Sequence, residues 1–202
     1  CFKLPDNVST LEGALIEPLS VGLHAALQGN AHIGQTAIIM GAGCIGLVTL
    51  LSLKAMGVSK VAVVDVIQSR LNKALELGAD YVINGKEQNT VAEIMKLTEG
   101  NGCDLGIETA GSQVTTCQLI HAAKKGSTIV LVGYSASGEM TLPVGMLLDK
   151  EITIKTVFRY RNIYPIAIEA ISSGKIDIKG IVSHSFEFDD IQNALDTCVN
   201  NK

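Results

Sequence analysis

The chain has 202 residues, of which 47% are apolar and 18% are charged, and its formal net charge at pH 7 is −4. A chain of this size and apolar content can bury one substantial core, and its slight acidity gives no electrostatic reason to expect binding to nucleic acid or to an acidic membrane. Because aromatic residues make up only 4% of the chain and Trp is absent, the core must be largely aliphatic, which favours layers of strands and helices over an aromatic-rich β-sandwich.

The first predicted element is a helix that starts near residue 10. Ser9 and Glu12 have the Ser-x-x-Glu spacing of a capping box, in which each side chain accepts a hydrogen bond from the backbone amide of the other residue. Pro18 disfavours helical geometry at the residue before it, which is Glu17. We therefore expect the helix to break or kink at this pair.

From residue 36 onward, short apolar runs alternate with helical segments that end at glycines. Runs that are apolar throughout are typical of strands buried on both faces, and strand–helix units of about 20–30 residues are typical of parallel sheets with right-handed crossovers. The pattern predicts an α/β Rossmann fold, a doubly wound six-stranded parallel sheet with strand order 3-2-1-4-5-6. The predicted strands lie at residues 36–40, 61–65 and 81–84, within 103–111, and at 127–133 and 151–158.

The pattern changes after residue 160. We expect a helix, a strand and a second helix at residues 164–174, 181–188 and 189–198. His184 falls in that predicted strand and is interpreted as a structural residue. A soft domain boundary is placed near residue 165, and the tail is expected to pack on something that this chain does not contain.

The ends and the cysteines bear on the kind of protein. The chain begins with Cys1 in what reads as a running segment, so we interpret it as part of a longer protein. No apolar run reaches membrane-spanning length, and five scattered cysteines without short paired spacings favour reduced thiols. We therefore expect a cytoplasmic protein that does not associate with a membrane.

A Gly-x-Gly-x-x-Gly motif follows the first predicted strand and opens a helix. In such a turn Gly41 permits the tight bend, Gly43 lets the backbone approach a pyrophosphate, and Gly46 lets the helix pack close to the strand. Asp65 ends the next strand, where a carboxylate can accept both hydroxyls of a ribose and would repel a 2′-phosphate. The motif therefore predicts an NAD site, with Arg70 stacking on the adenine. The alternative is a glycine-rich turn that binds no dinucleotide, with Asp65 acting as a helix cap.

Six segments of the chain carry a resemblance to a known family. They are EGALIEPLSVGLHA (12–25), GAGCIG (41–46), VVDVIQSRL (63–71), IETAGS (107–112), VLVGY (130–134) and VFRYRN (157–162). In this order, they resemble the medium-chain, zinc-dependent alcohol dehydrogenases, and among these the sorbitol (polyol) dehydrogenase branch. The Glu-Pro of the first segment and the Phe-Arg-Tyr of the last are the features most specific to that branch.

The resemblance implies roles for individual residues. Glu17 would lie at the catalytic zinc, as a ligand or holding its bound water, while Arg159 and Tyr160 would hydrogen-bond the hydroxyls of a polyol. Cofactor contacts are implied at the glycine turn (Gly41, Gly43, Ile45 and Gly46), at the adenosine end (Asp65 and Arg70) and at the nicotinamide end (Val132, Gly133, Tyr134, Val157, Phe158 and Arg159).

The resemblance also implies what the chain lacks. The family takes most of its zinc ligands from an N-terminal domain with a Cys and a Gly-His-Glu segment, and neither is found here. Residues 1–165 would then be the NAD-binding domain, and residues 166–202 a partial return toward an absent catalytic domain. The family pairs its cofactor domains edge to edge, and the alternating residues 151–157 form a candidate pairing strand.

The predicted function is therefore that of a parent enzyme. We expect a zinc-dependent oxidoreductase that oxidises a secondary alcohol of a sorbitol- or xylitol-type polyol to a ketose by hydride transfer to NAD. This chain alone is expected to be inactive. Two alternatives stay open: an NAD-binding or sensing module without chemistry, and a dehydrogenase for a small diol or amino alcohol.

Overall fold

The computed structural model describes residues 1–200, which form a parallel sheet flanked by helices. The strands are β1 Thr36–Met40, β2 Lys60–Asp65, β3 Tyr81–Asn84, β4 Cys103–Glu108, β5 Ala123–Leu131 and β6 Thr153–Thr156. The helices are α1 Thr10–Gln28, α2 Cys44–Ala55, α3 Gln68–Glu76, α4 Thr90–Leu97, α5 Gln113–Ala122, α6 Val144–Lys150, α7 Tyr164–Ser172 and α8 Ile191–Asn200. Short 3₁₀ turns lie at Lys179–Ile181 and Phe188–Asp190.

The sheet has the order β3-β2-β1-β4-β5-β6, and every neighbouring pair is parallel. This confirms the predicted Rossmann topology. Successive side chains of β1 alternate between two cores: Ala37 and Ile39 pack with α2 and α3, and Ile38 and Met40 pack with α4 and α5. Because the strands are parallel and β1 is central, their carboxyl ends meet at one edge, where the order reverses between β1 and β4.

The lead-in helix does not break at its proline. The capping box of Ser9 and Glu12 is confirmed, but α1 runs unbroken through Pro18, so the predicted break is wrong. Burial supplies the reason, since Leu19 lies in a third core with residues of α2 and α7. A Cβ on Gly22 would lie 2.7 Å from the Val48 carbonyl carbon, so α1 and α2 touch backbone to backbone.

The second half of the chain departs from prediction in three places. The fifth strand ends at Leu131 and the sixth covers only Thr153–Thr156, so both are displaced from their predicted bounds. Helix α6 was not predicted, because seven residues that follow a proline give too short a periodic signal. The tail strand expected at residues 181–188 is wrong, since this segment contains parts of two 3₁₀ turns joined by irregular backbone and pairs with no strand in the described chain.

The start of the tail belongs to the same core as the lead-in helix. The buried residues Ala167 and Ile171 of α7 share a core with Ile16 and Leu19 of α1. By contrast, α8 exposes its apolar residues Ile191, Leu195 and Val199. None of the helices in the described residues is long and apolar enough to cross a membrane.

Candidate functional site

The glycine turn between β1 and α2 uses its three glycines for different reasons. Gly41 has a φ of +102°, a conformation that favours glycine, and a Cβ on Gly46 would lie 1.9 Å from the Gly41 carbonyl oxygen. Gly43 has a φ of −72°, and a Cβ there would meet nothing within 4 Å. The fold therefore requires glycine at 41 and 46, whereas at 43 it leaves open space above the backbone.

The start of α2 faces that open space. Among the described residues, no side chain caps this helix, whose N-cap is Gly43. The first amides of a helix have no partner within it and form the positive end of its dipole. The turn is held in place from both sides, because the Gly41 amide donates to the Val64 carbonyl (2.7 Å) and the Thr109 hydroxyl donates to the Met40 carbonyl (2.8 Å).

Asp65 lies directly beside this turn. Its Oδ2 accepts a hydrogen bond from the Ala42 amide at 2.7 Å, and its Oδ1 accepts from the amides of Val66 (2.7 Å) and Ile67 (2.9 Å). Arg70 approaches the same carboxylate, with an N–O distance of 4.0 Å. The structure thus joins the residues implied at the adenosine end to the glycine turn. Oδ1 already accepts two hydrogen bonds, whereas Oδ2 accepts one and keeps a lone pair for a further donor.

A cavity of about 500 Å³ opens beside Asp65, between the ends of β2 and β4. Its volume is in the range of small-molecule sites, and Gly41, Gly43 and Asp65 all line it. The buried Thr90 hydroxyl in this wall has no hydrogen-bond partner among the described residues. The lining residues are Gly41, Gly43, Val64, Asp65, Val66, Arg70, Gly85, Thr90, Thr109, Ala110, Ser112, Val114, Thr115 and Gln118.

Sequence reasoning missed Glu108, the buried last residue of β4. Its carboxylate accepts hydrogen bonds from the amides of Ala110 and Gly111, both at 3.0 Å, and from the Thr115 hydroxyl at 2.8 Å. Its backbone carbonyl accepts from the amides of Val132 and Gly133, at 2.8 and 2.9 Å. One residue therefore ties the loop after β4 to the loop after β5. The available signal was a carboxylate at the end of a mostly apolar strand, within the IETAGS segment.

Glycines also hold these two loops together. A Cβ on Gly133 would lie 2.1 Å from the Gly111 nitrogen, and one on Gly111, whose φ is +67°, would lie 2.2 Å from the Tyr134 carbonyl oxygen. The implied nicotinamide-end residues 132–134 are thus fixed in position by backbone contacts.

The outer side of that end is exposed and aromatic. Tyr134 and Phe158 are 82% and 73% exposed, and their rings meet edge to face with centroids 6.4 Å apart. The Arg159 guanidinium lies 5.3 Å from the Phe158 ring centroid. Val157, by contrast, is buried in the core. Neither residues 132–134 nor residues 157–159 line the cavity beside Asp65.

Of the three implied catalytic residues, Glu17 is the one that lies near the start of α2. Glu17 is exposed on α1. The pKa of the Cys44 thiol is raised, mainly by burial and to a smaller extent by the negative charge of Glu17. The hydroxyls of Tyr160 and Tyr164 lie 3.3 Å apart, and this hydrogen bond is the main reason that the pKa of Tyr164 is raised to about 12. Tyr160 packs against the core, whereas its neighbour Arg159 is exposed.

The described residues do not fit a zinc site. Within residues 1–200, no group of three or more His, Cys, Asp or Glu side chains could hold a metal ion. A catalytic zinc needs about three protein ligands, and Glu17 alone does not supply them.

Comparisons with known proteins agree with this geometry. Residues 44–173 match a family described as Zinc-binding dehydrogenase. The chain is 47% identical to a zinc-type alcohol dehydrogenase-like protein of Escherichia coli K12, with all of the chain and 57% of that protein covered. It is 42% identical to human sorbitol dehydrogenase, with 98% of the chain and 56% of that protein covered.

A solved structure of an E. coli alcohol dehydrogenase in complex with NADH has the same fold. It superposes with a TM-score of 0.91 at 28% identity, covering 98% of the chain and 58% of that protein. The chain thus spans somewhat more than half the length of the relatives that it matches.

Proposed function

The chain belongs to the zinc-binding dehydrogenase family, and on that premise we propose that it is the NAD-binding part of a dehydrogenase that oxidises a polyol to a ketose. The observation that carries the proposal is the pairing of open space at Gly43 with Asp65 across the glycine turn. The pyrophosphate would lie over Gly43 against the first amides of α2, and Asp65 would accept the ribose hydroxyls. The cavity beside Asp65 would take the adenine.

The nicotinamide would lie at the other end of the edge. Residues 132–134 and 157–159 follow β5 and β6, at the carboxyl ends where a ring bound along this edge would lie. A nicotinamide bound there would supply the hydride acceptor, so that the carbinol carbon would lose a hydride and its hydroxyl a proton to give a ketone. Glu108 orients the two loops that would contact the ring. We also propose that Arg159 and Tyr160 bind substrate hydroxyls and that Glu17 lies near the metal.

The choice of a polyol rests on the relatives. Human sorbitol dehydrogenase is 42% identical to the chain, and an L-idonate 5-dehydrogenase of Vitis vinifera is 41% identical. Both names denote enzymes whose substrates carry several hydroxyl groups. The proposal assigns the zinc to a longer protein that supplies the ligands which the described residues lack.

We further propose that the tail serves such a longer protein. Residues 166–202 would begin a return toward a catalytic domain, with the boundary near residue 165. The exposed apolar side chains of the tail support this, because contiguous apolar surface usually marks a contact. They are Phe188, Ile191, Leu195 and Val199, each more than half exposed.

The cofactor proposal is tested by titrating the chain with NADH and NADPH and following NADH fluorescence. We expect NADH to bind more tightly, because Asp65 repels a 2′-phosphate. Asp65→Ala should weaken NADH binding by about 1–3 kcal/mol and so narrow the difference in affinity between NADH and NADPH. Equal affinity of the parent chain for the two cofactors would reject the assignment of NAD.

The 202-residue chain, given NAD and sorbitol or xylitol, should show no turnover with or without zinc, because the described residues lack a set of zinc ligands.

The edge strand is proposed as an oligomer contact. Strand β6 lies at the end of the sheet, and Thr153 and Thr156 are exposed. A free edge offers unpaired amides and carbonyls to a second copy across a two-fold axis. Sedimentation should show a dimer through residues 151–157, which Thr153→Pro should disrupt. A monomeric parent, or a variant as dimeric as the parent, would rule out this interface.

A further inference from the structure

A second cavity, of about 540 Å³, lies on the other side of the glycine turn. It shares Gly43 and Arg70 with the cavity beside Asp65, but Asp65 itself is not in its wall. Its remaining wall includes Cys44, at the start of α2, together with Lys73 of α3 and His184 of the tail. An arginine, a lysine and a histidine thus line one space beside the start of a helix, and no Asp or Glu among the described residues lines it.

The tail is fixed firmly enough to form this wall. Ile178 is fully buried, and Ile181 packs against two of the cores. Between them, the Lys179 ammonium pairs with the Glu12 carboxylate at 3.3 Å. A Cβ on Gly180 would lie 2.8 Å from a Leu77 methyl carbon, so this stretch also touches the end of α3. These contacts hold the following residues beside the glycine turn.

His184 itself is held by its neighbours. Its Nδ1 lies 2.9 Å from the Ser183 hydroxyl oxygen, and its ring stacks on Phe186 with centroids 6.1 Å apart. When the Ser183 hydroxyl donates to Nδ1, the neutral imidazole carries its proton on Nε2. That N–H can donate a hydrogen bond to an anion in the cavity.

We propose that His184 binds the pyrophosphate of the dinucleotide, and that the tail segment 181–184 forms the outer wall of the phosphate site. The inference rests on the proposed function and extends it to His184, which the sequence analysis interprets as a structural residue. The pyrophosphate is favoured over a 2′-phosphate because this cavity adjoins the first residues of α2, whereas the ribose-binding Asp65 faces the other cavity.

The test compares adenosine, ADP and 2′-AMP on the 202-residue chain by calorimetry. We expect His184→Ala to weaken ADP binding about ten-fold, the effect of losing one hydrogen bond to a charged group, and to leave adenosine binding unchanged. His184→Phe, which keeps a ring against Phe186, should lose as much, and His184→Gln, which keeps an N–H donor, should lose less. His121→Ala removes an exposed histidine elsewhere and should bind like the parent.

Each other outcome has a distinct meaning. Unchanged ADP affinity in His184→Ala, or an equal loss for adenosine, would overturn the role of His184. A loss confined to 2′-AMP would overturn the assignment to the pyrophosphate. If the parent chain bound neither adenosine nor ADP while remaining folded, the proposed function itself would fail, and this inference with it.

Discussion

The two ends of the proposed cofactor site differ in how far this chain completes them. At the adenosine end, a cavity, an unobstructed glycine turn and a carboxylate with fixed hydrogen bonds are all present. At the nicotinamide end, the loops are equally well fixed, but Tyr134 and Phe158 stand exposed. The comparison indicates that this chain fixes the backbone at both ends of the proposed site but can enclose a ligand only at the adenosine end.

The largest expected effects come from two glycines of the turn, one needed for stability and the other for NADH binding. Gly46→Ala places a Cβ 1.9 Å from a backbone oxygen, so we expect it to destabilise the fold by about 3 kcal/mol or more. Gly43→Ala meets open space and should unfold like the parent, yet lose NADH binding because the methyl group occupies the phosphate position. Thermal denaturation and NADH titration of both variants measure this. A Gly43→Ala variant that binds NADH like the parent would contradict the assigned path of the pyrophosphate.

The next effect concerns the platform at the nicotinamide end. Glu108→Gln puts an amide group among backbone donors in a buried position, and we expect it to cost about 1–3 kcal/mol of unfolding free energy. The matched control is Glu76→Gln, which removes an exposed ion pair with Lys73 and should change stability by less than about 0.5 kcal/mol. Urea denaturation compares them. Equal stability of the two variants would show that Glu108 does not hold these loops.

The smallest effect is expected from the exposed aromatic pair. Phe158→Ala removes a ring that is 73% exposed, so the free energy of unfolding should fall by no more than about 0.5 kcal/mol. ADP binding should not change, because Phe158 does not line the cavity beside Asp65. A loss of several kcal/mol in urea denaturation would mean that the exposed end is as well packed as the other.

The sequence predicts those parts of the site that are formed by residues close together along the chain. The glycine turn and Asp65 belong to consecutive elements, and their spacing alone indicates that they meet. The hydrogen bonds of Glu108 involve residues on loops after two different strands, so no short pattern reveals them. His184 joins the turn only because the tail folds back across more than a hundred residues of sequence.

Local rules also failed where packing opposed them. Pro18 lowers the helical tendency of its segment, but burial of Leu19 and the close contact at Gly22 keep α1 continuous. The tail segment 181–188 contains β-branched and aromatic residues, which are typical of strands, yet no strand in the described chain lies beside it, and it forms none.

The most direct test of the central claim divides the cofactor into its two halves. Calorimetric titration of the chain with ADP, with nicotinamide mononucleotide and with NADH compares the adenosine end with the nicotinamide end. If the adenosine end alone is complete, ADP should bind about as tightly as NADH, and nicotinamide mononucleotide should show no binding. Tight binding of nicotinamide mononucleotide, or NADH binding without any affinity for ADP, would contradict this account.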